Sequence, residues 1–179
     1  MAGSAVAEAI TPLFSAETIA RRVEALAHDI AKGASSDLLI VAVLKGSFIF
    51  AADLIRALHE QGLRPEIDFM FLASYGTGTT GGEVKILCDV EAELAGRDVV
   101  IVDDILDSGR TLHFAKELLA QRGARSVKSC ILLDKDVTRE VTVTADFTGF
   151  TCPPRFVVGY GMDLGNRYRE LPFIGVVEG

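Results

Sequence analysis

The sequence predicts an α/β fold: a mainly parallel, twisted sheet flanked by helices. Three observations support this prediction. Continuous apolar runs such as "DLLIVAVL" are typical of strands that are covered on both faces. Segments with apolar residues at helical spacing alternate with these runs along the chain. No linker or internal repeat divides the 179 residues, so we expect a single domain over 1–179.

The first predicted elements are a helix, a strand and a second helix. Residues 1–14 are expected to be a short, loosely held lead-in. From Ser15, apolar residues recur at spacings of four, four and three, which predicts a helix capped by Ser15 and stopped by Gly33. The strand "DLLIVAVL" follows. The segment "KGSFIFAADLIRALHEQG" then indicates a tight turn and a helix that ends at Gly62.

The rest of the chain continues the alternation. The segment "EIDFMFLASY" has the β-branched and aromatic content of a strand. The glycine- and threonine-rich "GTGTTGGE" after it has no apolar anchor, which favours a mobile lid over a plain hairpin connection. The remaining predicted elements are the strands "VKILCDV" and "DVVIVDD", a helix from Thr111 to Gly123, and the strands "SVKSCILLD", "RFVVGY" and "FIGVV".

Composition limits the class of protein. Hydrophobic residues make up 49% of the chain and charged residues 24%, which is typical of a globular domain and not of disorder. The net charge of -7 argues against nucleic acid as a partner, because a phosphate backbone needs a basic face. The three cysteines form no CxxC pair, and no apolar run approaches the ~20 residues of a membrane span. We therefore expect a cytoplasmic protein with neither a nucleic-acid nor a membrane partner.

The stretch "VVIVDDILDSGRTL" combines a buried strand with an unusual density of polar residues. Ile105 and Leu106 are expected to form a turn, and residues 108–111 lead into a helix. Small residues ahead of a helix present unpaired N–H groups and a positive dipole end, which is a phosphate cradle. Two adjacent carboxylates, Asp103 and Asp104, suit hydroxyls or a bound Mg²⁺. A ribose 5-phosphate has both features, and Asp107 is then free to act as an acid or base.

The alternative interpretation of this stretch is a helix-capping turn with solvated carboxylates. Three aspartates in five positions fit that interpretation poorly. The chain contains no GxxxxGK[ST] phosphate loop, and neither "GYGMDLG" nor "GTGTTGG" has the spacing of a dinucleotide-binding fingerprint.

The stretch closely resembles the signature with which type I phosphoribosyltransferases bind 5-phosphoribosyl pyrophosphate (PRPP). Further motifs narrow the resemblance to the hypoxanthine-guanine phosphoribosyltransferases. "LKGSFIFAADL" resembles that family's pyrophosphate loop, and "ASYGTGTTGGEVKI" resembles its catalytic lid, with the Ser74 and Tyr75 pair. "LLDK" and "RFVVGYGMDLGNRYREL" resemble its purine-binding hood. The resemblance runs in order from about residue 44 to residue 177.

The resemblance implies a role for each matching position. At the PRPP end it implies that Lys45 and Gly46 contact the pyrophosphate through a peptide that is often cis, and that Arg169 also reaches the pyrophosphate. Asp103 and Asp104 would bind the ribose hydroxyls. The residues implied around the 5-phosphate are Ile105, Leu106, Asp107, Ser108, Gly109, Arg110 and Thr111. At the purine end it implies Lys135 on the 6-oxo group, Arg155, Phe156 and Val157 around the base, and Asp163. It implies Mg²⁺ on Asp163, Asp103 and Asp104, and Asp107 as the general base for N7. The family usually has Glu before Asp at the acidic pair, so Asp103 is one methylene shorter.

The implied reaction is purine salvage. The 5-phosphoribosyl group of PRPP would pass to N9 of hypoxanthine or guanine, giving IMP or GMP and pyrophosphate. Two alternatives remain: a xanthine-preferring phosphoribosyltransferase, and a PRPP-sensing regulator on the same fold. The resemblance also implies a homodimer or homotetramer, and a core over about 35–135 with a hood formed by the N-terminal segment and 136–179.

Overall fold

The computed structural model describes residues 9–75 and 83–178. In chain order the elements are β1 (Ile10–Phe14), α1 (Ala16–Ala31), β2 (Leu39–Leu44), α2 (Phe48–Glu60), β3 (Glu66–Tyr75), β4 (Glu83–Cys88), β5 (Asp98–Leu106), α3 (Arg110–Gln121), β6 (Ser126–Lys135), β7 (Phe147–Cys152), β8 (Val157–Val158) and β9 (Ile174–Val177). The helix starts and strand cores lie close to the positions that the sequence patterns predict.

A six-stranded sheet in the order β4-β3-β2-β5-β6-β7 forms the centre of the molecule. Only β4 runs antiparallel to its neighbour, so the predicted fold class is confirmed. Val100 and Val102 of β5 belong to the core beneath α1 and α2, whereas Val99 and Ile101 belong to the core beneath α3. This alternation covers the sheet on both faces, which explains the continuous apolar runs.

The order of the strands reverses between β2 and β5. From β2 the chain continues to β3 on one side, and from β5 it continues to β6 on the other. Crevices at such a switch point, beyond the carboxyl ends of the strands, are where open α/β sheets bind ligands. Among the described helices, none has both the length and the apolar character that crossing a bilayer requires.

A second, smaller sheet joins the two ends of the described chain. Its antiparallel order is β1-β9-β8, with Ile10 opposite Val177. The expectation that residues 10–14 form a loosely held lead-in was therefore wrong. Phe14 also stacks on Phe150 at 4.3 Å between ring centroids. Local pattern does not reveal β1, because its partner lies at the far end of the chain.

Two further differences concern the central sheet. Ile105 and Leu106, expected to form a turn, continue β5 and pair with β6. Strand β7 was not predicted, and it pairs in parallel with β6 at the sheet edge. A side chain at Gly149 would lie 2.4 Å from the carbonyl oxygen of Leu132, so the glycine permits this close approach. The proposed division at residue 136 stays a prediction, and within it β7 returns to the central sheet.

Candidate active site

The carboxyl ends of the central strands open into a cleft of about 440 Å³. Its walls come from the turn after β2, the end of β3, the end of β5, the end of β6 and the small sheet. The lining residues are Leu44, Lys45, Gly46, Phe71, Leu72, Asp104, Ile105, Asp107, Lys135, Phe156, Val157, Met162, Asp163 and Arg169. The fold thus brings together ten of the site residues that the sequence predicted.

The turn between β2 and α2 forms one wall of the cleft. The peptide between Leu44 and Lys45 is cis, as the resemblance implied. A Cβ at Gly46 would lie only 1.9 Å from Oδ2 of Asp104, so the turn packs directly on that carboxyl group. The Lys45 ammonium lies over the Phe71 ring, 5.4 Å from its centroid, where a cation–π interaction orients it.

The adjacent aspartates of β5 differ in their exposure to the cleft. Asp104 lines it, whereas Asp103 is only 7% exposed and lies outside the lining. Asp103 Oδ1 accepts a hydrogen bond from the Asp104 N–H at 2.9 Å. Burial raises the pKa of both carboxyl groups, and for Asp103 the neighbouring Asp104 charge adds to the effect. The pair is therefore held in an environment that disfavours two negative charges.

The loop after β5 faces the end of β6 across the cleft. Lys135 Nζ donates to Asp107 Oδ2 at 2.7 Å. The lysine side chain is only 15% exposed, while the aspartate side chain is 53% exposed. A fixed ammonium donor therefore stands beside an accessible carboxylate acceptor, and both line the same cavity.

Ser108 and Gly109 lead into α3, which begins at Arg110, one residue before the predicted start at Thr111. Gly109 has φ 85°, a left-handed conformation that glycine adopts without strain. The Ser108 carbonyl accepts from the Val141 N–H at 3.2 Å, and the Arg110 guanidinium pairs with Glu140. A Cβ at Gly109 would lie 2.5 Å from the Val141 carbonyl oxygen. The residues after β6 thus brace this loop from behind, and the start of α3 carries the positive end of the helix dipole, which favours an anion.

The small sheet and the loop that follows β8 supply the opposite wall. Phe156 is 52% exposed beside the buried Val157, so its ring presents a face to the cleft. Asp163 Oδ1 accepts from the Arg169 guanidinium at 2.7 Å, and its Oδ2 accepts from the Asn166 N–H at 2.6 Å. Arg155 points elsewhere: it pairs with Glu178 at 2.8 Å and does not line the cleft.

Several predicted site residues lie outside the lining of the cleft. These are Asp103, Leu106, Ser108, Gly109, Arg110, Thr111 and Arg155. Leu106 is a core residue beneath α3. Ser74 and Tyr75 end the β3 backbone, and the rest of the predicted lid, 76–82, lies outside the described residues.

Sequence reasoning missed four lining residues: Leu44, Phe71, Leu72 and Met162. Each is apolar, so each has the appearance of a core residue. Leu44 and Leu72 lie at or near strand ends, where the carboxyl-end rule could have identified them. Nothing local marks Phe71 or Met162.

The acidic groups of the cleft fit a divalent cation that arrives with its own anionic ligands. No cluster of three or more metal-ligating side chains occurs within 9–75 and 83–178. Mg²⁺ is commonly held by one or two carboxylates together with substrate phosphates, and it does not need a complete protein cage. Asp104 and Asp163, which both line the cleft, are the carboxylates available for this role.

Comparison with known proteins agrees with this geometry. A family model described as "Phosphoribosyl transferase domain" matches residues 10–164. Hypoxanthine phosphoribosyltransferase of Escherichia coli (strain K12) is 49% identical over 147 residues, 82% of this chain and 81% of the relative. Hypoxanthine-guanine phosphoribosyltransferase of Bacillus subtilis (strain 168) is 44% identical over 168 residues, 93% of this chain and 92% of the relative. A crystal structure of a Bacillus anthracis hypoxanthine-guanine phosphoribosyltransferase has a TM-score of 0.87 and 43% identity, covering 93% of this chain and 98% of that one.

Proposed function

The chain belongs to the phosphoribosyl transferase domain family, and on that premise we propose that it is a purine-salvage enzyme. The proposed reaction transfers the 5-phosphoribosyl group of PRPP to N9 of hypoxanthine or guanine. The products are IMP or GMP and pyrophosphate. The relatives named hypoxanthine and hypoxanthine-guanine phosphoribosyltransferase support this assignment.

The observation that carries the choice of base is the pairing of Lys135 with Asp107 at 2.7 Å. Positions 6 and 7 of a purine are neighbours that one bidentate side chain can read together. A 6-oxopurine protonated at N7 offers an acceptor beside a donor, which matches the lysine and the aspartate respectively. Adenine has an amino donor at position 6, which would face the donor-only ammonium of Lys135. The pair therefore favours 6-oxopurines over adenine.

In the proposed mechanism, a bond forms between purine N9 and C1 of the ribose. The bond from C1 to the pyrophosphate oxygen breaks, and that oxygen keeps the electron pair. The proton on N7 passes to Asp107, which acts as the general base. Lys135 holds the 6-oxo group while this transfer takes place.

The other residues of the cleft would bind the sugar phosphate. Lys45 and Arg169 would face the pyrophosphate, where negative charge increases as the bond to C1 breaks. The start of α3, residues 108–111, would bind the 5-phosphate through its N–H groups. Asp104 would accept from the ribose hydroxyls. Asp103 lies behind Asp104, so we propose that it acts on the sugar through its neighbour or a water.

Mg²⁺ is part of the proposal. Asp163 and Asp104 would bind the ion jointly with substrate oxygens, and Asp103 would lie behind Asp104 without contacting the ion directly. When bound, Mg²⁺ would offset the charge of the pyrophosphate leaving group. Arg169, paired with Asp163, would keep that carboxylate oriented.

The remaining parts of the proposal concern the context of the reaction. Ser74 and Tyr75, with residues 76–82, would close over the cleft and exclude water during the transfer. Free thiols at Cys88, Cys130 and Cys152 are compatible with a reducing cytoplasm. We further propose a homodimer or homotetramer whose substrates are small molecules, without nucleic-acid or membrane partners.

The experiment that tests the proposal measures nucleotide formation from PRPP and Mg²⁺ with hypoxanthine, guanine, xanthine and adenine offered separately. The expected result is turnover of hypoxanthine and guanine, and a loss of about 10²–10⁴-fold in Asp107→Asn, the range typical of a general base. Asp136→Asn is the matched control, because Asp136 is exposed and lies outside the cleft. Its rate should equal that of the wild type.

Each alternative predicts a different outcome. Turnover mainly of xanthine would assign the chain to the xanthine-preferring enzymes. Binding of PRPP without turnover of any base would indicate a PRPP-sensing regulator. Turnover that survives Asp107→Asn would leave the enzyme assignment standing and would refute Asp107 as the base.

A further inference from the structure

The loop after β8 is attached to α2 by a partly buried hydrogen bond outside the cleft. The Tyr160 hydroxyl donates to Oδ2 of Asp53 at 2.5 Å, across 107 positions of sequence. Tyr160 is only 7% exposed. Burial and the Asp53 carboxylate raise the pKa of Tyr160, so the phenol remains a donor at physiological pH. Asp53 also pairs with Arg56 one turn further along α2, which holds the carboxylate in place.

The backbone on both sides of Tyr160 is packed too closely to shift freely. A Cβ at Gly159 would lie 2.1 Å from the carbonyl oxygen of Phe173, and a Cβ at Gly161 would lie 2.1 Å from that of Gly46. Gly46 in turn lies directly on Asp104. The loop therefore rests on the turn that begins α2, and Tyr160 anchors it farther along the same helix.

Gly161 transmits this anchoring to the charged groups of the cleft. Its carbonyl accepts from Arg169 Nη1 at 2.6 Å, and its N–H donates to the Arg169 carbonyl at 3.0 Å. The other end of the Arg169 guanidinium pairs with Asp163 at 2.7 Å. The position of Gly161 thus sets the position of both charged groups relative to Lys45 and Gly46.

We infer that Tyr160 and Asp53 form a positioning pair that holds Arg169 and Asp163 in register with the Lys45–Gly46 turn at the pyrophosphate end of the cleft. Neither residue lines the cleft, so the pair acts through Gly161 and not by touching substrate. Lys135 and Asp107, which would contact the edge of the purine, lie at the ends of β6 and β5, away from the loop that carries Tyr160. This inference rests on the proposed function, because it takes the pyrophosphate end as the binding site of PRPP.

The test is Tyr160→Phe, which removes one hydroxyl and keeps the ring. Loss of a hydrogen bond to a charged group should raise the KM for PRPP about tenfold. The KM for hypoxanthine should rise less, because Lys135 and Asp107 lie at the ends of β6 and β5, and Val157 is held in the small sheet by its pairing with β9. The dissociation constant of magnesium pyrophosphate, measured by calorimetry, should rise by the same factor as the KM for PRPP.

Two kinds of control separate positioning from general stability. Tyr168→Phe removes a hydroxyl from the same loop, and among the described residues this hydroxyl has no hydrogen-bond partner. The KM and dissociation constants of this variant should equal those of the wild type. Asp53→Asn retains an acceptor oxygen for Tyr160 and should restore most of the affinity that Asp53→Ala loses. Tyr160→Phe combined with Asp53→Ala should be no worse than the more severe single variant, since both remove the same contact.

The result that overturns the inference is an unchanged affinity for magnesium pyrophosphate in Tyr160→Phe. An equal rise in both KM values with a lowered melting temperature would also overturn it, because that pattern indicates loosening of the whole fold. Failure of the proposed function has a different signature: wild-type protein that turns over no purine. The pyrophosphate affinities would still decide the inference in that case, and wild-type protein that binds no magnesium pyrophosphate would refute both.

Discussion

The aspartates at the two ends of β5 have pKa values shifted in opposite directions. At its start, Asp98 accepts hydrogen bonds from the Arg125 guanidinium at 2.7 and 3.0 Å and from the hydroxyls of Ser35 and Ser126, each at 2.7 Å. These donors hold the pKa of Asp98 far below its usual value. At the other end, burial raises the pKa of Asp103 and Asp104, and Asp104 gains only partial relief from Arg169.

This difference separates an edge of the sheet that is held by internal hydrogen bonds from the edge that opens into the cleft. The carboxylate at the amino end has its hydrogen-bond partners within the protein, so it stabilises the fold. At the carboxyl end, Asp103 accepts from the Asp104 N–H and lies buried behind its neighbour, while Asp104 lines the cleft, where a ligand with hydroxyls or a cation can contact it. Sites of this kind reduce the stability of the free protein and are retained for function.

The largest effect that tests the comparison is expected from Gly46→Ala. The new Cβ would lie 1.9 Å from Oδ2 of Asp104, so the carboxyl group or the turn must shift. A displacement of about 1 Å at a catalytic centre commonly lowers the rate by about 10²-fold, and we expect a loss of that size in nucleotide formation. Gly33→Ala is the matched control near the opposite edge, where the nearest atom, Lys128 Nζ, is 3.9 Å away. Equal activity of the two variants would contradict the close packing of Gly46 on Asp104.

The next prediction concerns Asp98 at the amino end of β5, where a substitution should change the stability of the protein and not its turnover. Asp98→Ala removes the shared acceptor of Arg125, Ser35 and Ser126, although Arg125 keeps its pairing with Asp37, and it should lower the free energy of unfolding by about 1.5 kcal/mol. For a chain of this length the melting temperature should fall by about 3–6 °C. Asp29→Ala, which removes a single surface ion pair with Lys32, should leave the melting temperature nearly unchanged. Loss of turnover without loss of stability in Asp98→Ala would contradict the comparison.

Asp103→Asn is expected to raise the free energy of unfolding, by a smaller amount than Asp98→Ala lowers it. The amide can still accept from the Asp104 N–H but carries no charge, so the buried pair no longer repels itself. We expect the free energy of unfolding at neutral pH to rise by about 1 kcal/mol, while nucleotide formation falls. Urea unfolding of the ligand-free protein measures the first quantity. A less stable Asp103→Asn protein would show that the ionised pair stabilises the fold, against our interpretation.

The smallest effect is the pH dependence of these two stability differences. The folded-state pKa of Asp98 is lowered, so its contribution is present above the ordinary value of 3.8 and is lost as the pH falls below it. The folded-state pKa of Asp103 is raised, so its cost develops as the pH rises from 3.8 through the folded value. Urea unfolding from pH 3 to 8, at steps of about one unit, should show the deficit of Asp98→Ala and the gain of Asp103→Asn both growing with pH. A gain for Asp103→Asn that is independent of pH would exclude the raised pKa as its cause.

Most of the helices and strands, and the charged residues of the cleft, can be predicted from local sequence. The β-branched run "VVIV" is typical of a strand covered on both faces, and the three aspartates with Ser108 and Gly109 predict a binding loop after it. The rule that parallel strands present their carboxyl ends at one edge then brings Lys45, Asp107 and Lys135 together. These inferences depend on periodicity and composition within a few residues, which the sequence displays directly.

Only the tertiary structure decided the pairings between distant segments. Strand β1 is a strand because β9 lies beside it, and position 46 has room only for glycine because the Asp104 carboxyl group occupies the space of a side chain. The bond from Tyr160 to Asp53 joins residues 107 positions apart and leaves no local signal. The physical reason is that hydrophobic periodicity records which side of an element is buried, whereas which partner covers that side is set by packing of the whole chain.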